Sequence, residues 1–185
     1  MNVKKEELVG LAQSIGIEYA ALMAFISVES GGKGFINDRI VIQFEPSWFR
    51  KKAPFAPSGL WSLNKVENQD KEYKAFSNAF KINKDAAMQS TSWGLGQIMG
   101  FHYGRIGFKT VDEMVDAFKT GEYEQVKGMV KFIASDPKLL KAIREKNWHL
   151  VATYYNGGGY RELAKKYNRE PYNISMEKAY HKYGA

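Results

Sequence analysis

The sequence predicts a mainly helical fold with one small β element near residues 39–45. Three observations carry that prediction. Apolar residues recur at helical spacing through most of the chain. N-cap side chains, glycine stops and first-turn prolines punctuate it as helix ends do, and only one short stretch alternates apolar with polar residues. At 185 residues the chain has the length of one compact domain, and no linker divides it, so residues 1–185 are expected to form a single unit.

The elements follow in order. Lys5–Ile15 carries Leu8, Leu11, Ala12 and Ile15 on one helical face, and Tyr19–Ser30 is a stronger helix stopped by Gly31 and Gly32. Arg39–Glu45 is the strand: Ile40, Ile42 and Phe44 fall on one side, Val41, Gln43 and Glu45 on the other, and Pro46 ends it. Ala53–Leu60, with Pro54, Pro57 and Gly59, reads as a loop. Asp70–Phe80 is a helix with Tyr73, Phe76 and Phe80 on one face, and Asn83 caps Lys84–Gln89. Thr110-Val-Asp-Glu113 matches a capping box that opens a helix through Phe118. Tyr123–Ala134 and Pro137–Lys146 continue, the second with Asp136 as N-cap and Pro137 at its first position. Asn147 caps Trp148–Tyr155, which Gly157, Gly158 and Gly159 terminate; Tyr160–Tyr167 and Ser175–Tyr183 finish the chain.

Composition excludes several chemistries. With no cysteine there is no disulfide scaffold, thiolate zinc site or Cys nucleophile. His102, His149 and His181 lie far apart in sequence and form no metal-binding pair, so no metal is expected. The longest apolar stretch, Tyr19–Val28, is about half of the ~20 residues a bilayer span needs; it runs into Glu29 without a cleavage site, so neither stable membrane insertion nor an export signal is expected. The net charge of +7 is spread over small clusters, among them Lys4-Lys5, Arg50-Lys51-Lys52 and Lys165-Lys166. Such a surface favours anionic partners in general. The basic residues do not line one helix and no reader motif is present, which argues against nucleic acid.

Glu29 stands out of its local pattern. Ile26, Phe25 and Leu22 precede it at helical spacing, so its carboxylate lies on the apolar face of its own helix. It also sits in the last turn, where the helix dipole disfavours negative charge. Both effects raise a carboxyl pKa, which suits a general acid. The competing reading is a boundary acid that bends to water or pairs with Lys33 or Arg39. Glu45, at the end of the strand, is the natural second carboxylate or else an exposed acid before a turn. Gly31, Gly32 and Gly34 either clear a path for a bulky ligand or simply stop the helix. Trp93 and Gln97 lie among glycines in Ser90–Gly100, and Tyr154, Tyr155 and Asn156 precede three more. Aromatic faces stack on sugar rings, and carboxamides bond to hydroxyl and acetamido groups; core tyrosines before a helix stop are the other account of the second segment.

Together these segments carry a resemblance. Ile26-Ser-Val-Glu29-Ser-Gly-Gly-Lys-Gly-Phe35, Ile42-Gln-Phe-Glu45-Pro, Thr91-Ser-Trp-Gly-Leu-Gly-Gln-Ile-Met-Gly100 and Tyr154-Tyr-Asn-Gly-Gly-Gly159 resemble, in order and spacing, the N-acetylmuramidase domain of phage endolysins. More distantly they are similar to goose-type lysozymes and lytic transglycosylases. The resemblance implies a lysozyme-like helical domain that cleaves the β-1,4 bond between N-acetylmuramic acid and N-acetylglucosamine in peptidoglycan glycan strands, without metal or cofactor. It carries the general acid onto Glu29, a second acidic role onto Glu45, and saccharide contacts onto Gln97, Tyr154 and Asn156, beside the indole of Trp93. Water would be activated by Glu45 or a hydroxyl such as Thr91; if neither serves, the muramic acid hydroxyl attacks and a 1,6-anhydro product forms. A non-catalytic glycan-binding module is the remaining alternative. The expected protein is a monomer with no separate wall-binding domain, held in the host cytoplasm until release and then acting on the wall.

Overall fold

The structure, a computed structural model, describes residues 2–65 and 68–184. Among the described residues it holds eleven α-helices and five short strands, the mainly helical fold that the periodicity implies. No single helix among them is long and apolar enough to cross a membrane.

Composition sets the centre. Helix α1 (Lys5–Ser14) leads into α2 (Tyr19–Ser30), in which every residue from Ala20 to Ile26 is buried. A helix that is apolar all round has to be enclosed all round. It ends at Gly31 and Gly32, both left-handed (φ 61° and 78°), a backbone that glycine adopts without steric cost. Their amides close on the Ser27 and Ile26 carbonyls at 3.0 and 3.2 Å.

The strand expected over Arg39–Glu45 is divided between two sheets. Strand β1 (Phe35–Ile36) forms a hairpin with β2 (Arg39–Ile40) through Asn37 and Asp38, both at positive φ, as a two-residue turn of this hand requires. Strand β3 (Ile42–Phe44) pairs antiparallel with β4 (Thr91–Trp93), which pairs with β5 (Ile98–Met99). Val41 is the switch: its N–H donates to the Gly34 carbonyl (2.9 Å) and its own carbonyl accepts from the Gly94 N–H (2.8 Å). One residue thus bonds toward each sheet. Along β3, Ile42 and Phe44 are buried while Gln43, opposite Ser92 on β4, faces the other way.

After β3, Pro46 opens a helix rather than a loop. Helix α3 (Pro46–Lys52) starts at Glu45 as N-cap with Pro46 at its first position. Helix α4 (Gln69–Ile82) then closes the outer edge of β3. The Gln69 carboxamide accepts from the Ile42 N–H (2.9 Å) and donates to the Ile42 carbonyl (2.8 Å). The Glu72 carboxylate accepts from the Phe44 N–H (2.8 Å) and from Asn64 (3.0 Å). These side chains supply the bonds of an absent neighbouring strand. The buried face of α4 is therefore Glu72, Ala75 and Ala79; the expected Tyr73, Phe76 and Phe80 face is corrected, since Tyr73 and Phe76 are only partly buried and Phe80 is exposed. Phe44, Phe49, Trp61, Ala75 and Ala79 form a second, smaller core, and Phe76 packs against both cores.

Helix α5 (Lys84–Gln89) is capped by Asn83, α6 (Val111–Thr120) by Thr110 and α8 (Pro137–Arg144) by Asp136, as the sequence implies. Between the last two, α7 (Glu122–Ala134) buries Gln125 completely. Its carboxamide accepts from the Leu95 N–H (2.8 Å) and donates to the Phe118 carbonyl (2.9 Å), fixing the β4–β5 turn to the helices below. Helix α9 (Trp148–Tyr155), capped by Asn147, precedes α10 (Tyr160–Lys166) and α11 (Tyr172–Gly184). The last helix begins at Tyr172, earlier than the expected Ser175, and lies antiparallel to α2. Tyr172 meets the end of α2 at Glu29, and Tyr180 meets Glu18 at its start.

Candidate active site

A cleft of about 620 Å³ opens where the end of α2, β3, β4, the end of α9 and the α10–α11 segment converge. Glu29, Glu45, Gln97 and Asn156, all singled out in the sequence, line it together with Gln43 and Ser92. Trp93 and Tyr154 do not line it.

Those two are corrections with a common cause, side-chain periodicity. Trp93 follows Ser92 on β4, and successive strand residues point to opposite faces. Ser92 therefore faces the cleft, while Trp93 is 2% exposed in the core and donates through Nε1 to the Met88 carbonyl (3.0 Å). The same alternation buries Thr91, whose hydroxyl donates to the Ala87 carbonyl (2.8 Å), so it is not a water-activating hydroxyl. On α9, Tyr154 points out and is 38% exposed, whereas Tyr155 faces the cleft.

Glu29 is half-buried at the cleft wall. Leu22, Phe25 and Ile26 behind it are fully buried. Burial lifts its carboxyl from the usual 4.5 to about 7, against the lowering effects of a hydrogen bond donated by the Tyr172 hydroxyl and of the Arg169 charge. Neither Lys33 nor Arg39 is its partner; Arg39 instead pairs with Asp70 (2.5 Å) and covers the Tyr73 ring. Tyr172 stacks on Tyr155, ring centroids 6.3 Å apart, and Tyr155 packs on Phe25 and donates to the Gly96 carbonyl (3.1 Å). Burial, reinforced by the Glu29 charge, pushes both phenols well above their ordinary range, so they remain donors.

Glu45 is also raised by burial, with the nearby Glu72 charge adding to it and a hydrogen bond from Gln43 Nε2 (2.6 Å) opposing it. Its own N–H donates to the Ser90 carbonyl (2.9 Å), which ties the acid to the sheet. Gln97 has a left-handed backbone (φ 45°), and its Nε2 donates to the Gly94 carbonyl (2.8 Å), so the carboxamide is held in place. Gly31 and Gly32 serve the helix stop, and Gly34 lies against Gln125, where a Cβ would fall 2.4 Å from Oε1. None of the three lines the cleft.

Sequence reasoning passed over Gln43, Ser92, Arg169 and Tyr172 as site residues, and of the two tyrosines in its candidate segment it gave the saccharide contact to Tyr154 and not to Tyr155. The alternation of β3 already put Gln43 on the face of Glu45. Pro171, a common helix opener, was the available signal that α11 begins early enough to include Tyr172. Chemically, the cleft holds one carboxyl that keeps its proton up to about pH 7, a second carboxylate, and oriented amides and phenols. That set can protonate a leaving oxygen and bind hydroxyl-rich ligands.

The N-acetylmuramidase family profile matches residues 18–184 of the chain. The crystal structure of the Burkholderia AP3 phage endolysin is similar to it with a TM-score of 0.81 and 31% identity, over 98% of this chain and 71% of that one. No curated protein sequence matches the chain.

Proposed function

The chain belongs to the N-acetylmuramidase family of glycoside hydrolases that act on peptidoglycan, and we propose that Glu29 is its general acid. The observation that carries this reading is a carboxyl raised to about 7 in a sugar-sized cleft, since a general acid has to hold its proton at working pH. Glu29 protonates the glycosidic oxygen between N-acetylmuramic acid and N-acetylglucosamine as the bond breaks. Positive charge then develops at the anomeric carbon of the muramic acid, as in glycoside hydrolysis generally. Tyr172 aims the acid by fixing one carboxyl oxygen, leaving the other for the leaving group. Gln97 and Asn156 bind hydroxyl or acetamido groups.

Glu45 takes the proton of the attacking water. Its presence in the same cleft favours hydrolysis over internal attack by the muramic acid hydroxyl, which requires no base for water. On this reading the protein acts on the host cell wall, as its likeness to a phage endolysin suggests, and residues 1–185 work as one catalytic unit and a monomer.

Mass spectrometry of fragments released from purified sacculi tests the scheme. The expected products end in reducing N-acetylmuramic acid, and Glu29→Gln is expected to release them at least ~100-fold more slowly, the low end for loss of a general acid. Anhydro ends would replace hydrolysis with transglycosylation, reducing N-acetylglucosamine ends would contradict muramidase chemistry, and an undiminished rate in Glu29→Gln would remove Glu29. Binding without any release would leave a glycan-binding module.

A further inference from the structure

Among the described residues that line the cleft, Arg169 alone is cationic, beside Glu29, Glu45 and Glu170. Glu170 is occupied: the Ser175 hydroxyl donates to it (2.9 Å) and Lys178 pairs with it. Arg169 makes neither an ion pair nor a side-chain hydrogen bond among the described residues; its guanidinium lies near the Tyr167 ring, 5.6 Å from the centroid, and its charge is felt at Glu29. Its backbone, by contrast, is fixed on both sides. Helix α10 closes through a left-handed Asn168 (φ 48°), with the Asn168 amide on the Lys165 carbonyl (3.2 Å) and the Arg169 amide on the Ala164 carbonyl (2.9 Å). Beyond it, the Ile174 and Ser175 amides bond to the Pro171 carbonyl and start α11.

A guanidinium offers five donors in a planar fork and no acceptor, the geometry that matches a carboxylate. The glycan strand of peptidoglycan offers carboxylates asymmetrically. N-acetylglucosamine has none, whereas each N-acetylmuramic acid bears a lactyl ether whose carboxyl is free or extended by an acidic stem peptide. A cation at a fixed place in the cleft can thus read which sugar occupies each position, and so which of the two alternating β-1,4 bonds lies at the acid. Resting on the muramidase reading of this cleft, we propose that Arg169 determines specificity by binding a carboxylate on the muramic acid substituent.

The test compares wild type, Arg169→Ala and Arg169→Lys on three soluble glycan-strand preparations. These are intact strands, strands stripped of peptide by an amidase (free lactyl carboxylate), and intact strands whose carboxyls are converted to neutral methylamides. Arg169→Ala should raise KM about tenfold on strands that present the carboxylate it binds, the scale of a charge-assisted hydrogen bond partly exposed to water, whereas any change in kcat from losing the charge that lowers the Glu29 carboxyl should be the same on all three preparations. Arg169→Lys should recover part of the loss. On amidated strands the wild-type KM should rise to that of the variant, and the two should coincide. A loss confined to stripped strands assigns the free lactyl carboxylate, one confined to intact strands assigns the stem peptide, and one on both assigns a carboxylate in either form. Unchanged KM on both intact and stripped strands, or an equal loss on amidated ones, overturns the proposal. If wild type cleaves no preparation, the muramidase reading fails instead, and cosedimentation of wild type and Arg169→Ala with intact and amidated sacculi decides the carboxylate contact separately.

Discussion

Replacing Glu29 with Gln should make the protein more stable above neutral pH, and the size of the gain follows from the site. In the fold the carboxyl ionises at about 7 rather than 4.5, because burial opposes its charge. Between these values the folded state holds more protons than the unfolded chain, so stability falls as pH rises through that window. At about 1.36 kcal/mol per pH unit, the full penalty of ionised Glu29 is roughly 3 kcal/mol, reduced to about 2 kcal/mol for water that reaches a half-buried group. Gln has nearly the same shape, carries no charge, and its carbonyl oxygen can still accept from Tyr172. Urea unfolding of both proteins at pH 4, 6 and 8 measures the difference. The variant should match wild type at pH 4 and exceed it by about 2 kcal/mol at pH 8, or about 4–8 °C in Tm for a domain of this size. A difference independent of pH, or a variant less stable at pH 8, would refute the claim that Glu29 resists ionisation in the fold.

Three further outcomes follow from the same geometry. In Tyr172→Phe the hydrogen bond that lowers the Glu29 pKa is gone, so the alkaline limb of the pH–rate profile, expected near 7 in wild type, should move upward while kcat falls about tenfold through looser aim; an unmoved limb contradicts the clamp. Glu45→Gln should cost about 100-fold in kcat/KM and abolish the acidic limb, because a base works only when ionised; an unchanged rate takes Glu45 out of the mechanism. Trp93→Phe should lower stability by about 2 kcal/mol through lost core contacts and the lost Met88 hydrogen bond, with KM on sacculi unaltered; a raised KM at unchanged stability would restore Trp93 to the cleft.

What the sequence disclosed was what a single element decides locally. The enclosure of α2, the caps Asn83, Thr110, Asp136 and Asn147, and the placement of Glu29 against Leu22, Phe25 and Ile26 all depend on neighbours within a turn or two. Alternation in β3 likewise separated Ile42 and Phe44 from Gln43 and Glu45. Pairing was not legible in the same way. Nothing near Val41 announces that its two backbone groups bond to different sheets, and Thr91–Trp93 is too short to display a period. Hence Trp93, chemically apt for stacking on sugar, was expected on the wrong side of β4. Pro46 reads equally well as the stop of a strand and the start of α3, and only the tertiary structure chooses. The choice between Tyr154 and Tyr155 rests on the rotation of α9 about its axis, which is set by packing on Phe25 and Phe132.

The acid is also where local and distant causes meet. Alone, α2 gives Glu29 an apolar face and an unfavourable dipole, but a carboxyl at a free helix end would still be hydrated. Helix α11, laid antiparallel along α2, brings Tyr172 against the carboxyl, and Tyr155 at the end of α9 stacks on Tyr172. That packing does two opposite things. It excludes water, which raises the pKa, and it donates a hydrogen bond, which lowers it; a net value of about 7 means that exclusion wins. Had the hydrogen bond prevailed, Glu29 would be ionised at neutral pH and unable to donate a proton. The phenol can therefore orient the acid without discharging it only because the same helix keeps the solvent out. Docking of α11 on α2 consequently belongs to the proposed chemistry as much as to the core: any opening between the two helices admits water to Glu29 and lowers its pKa, while the rest of the fold can remain intact.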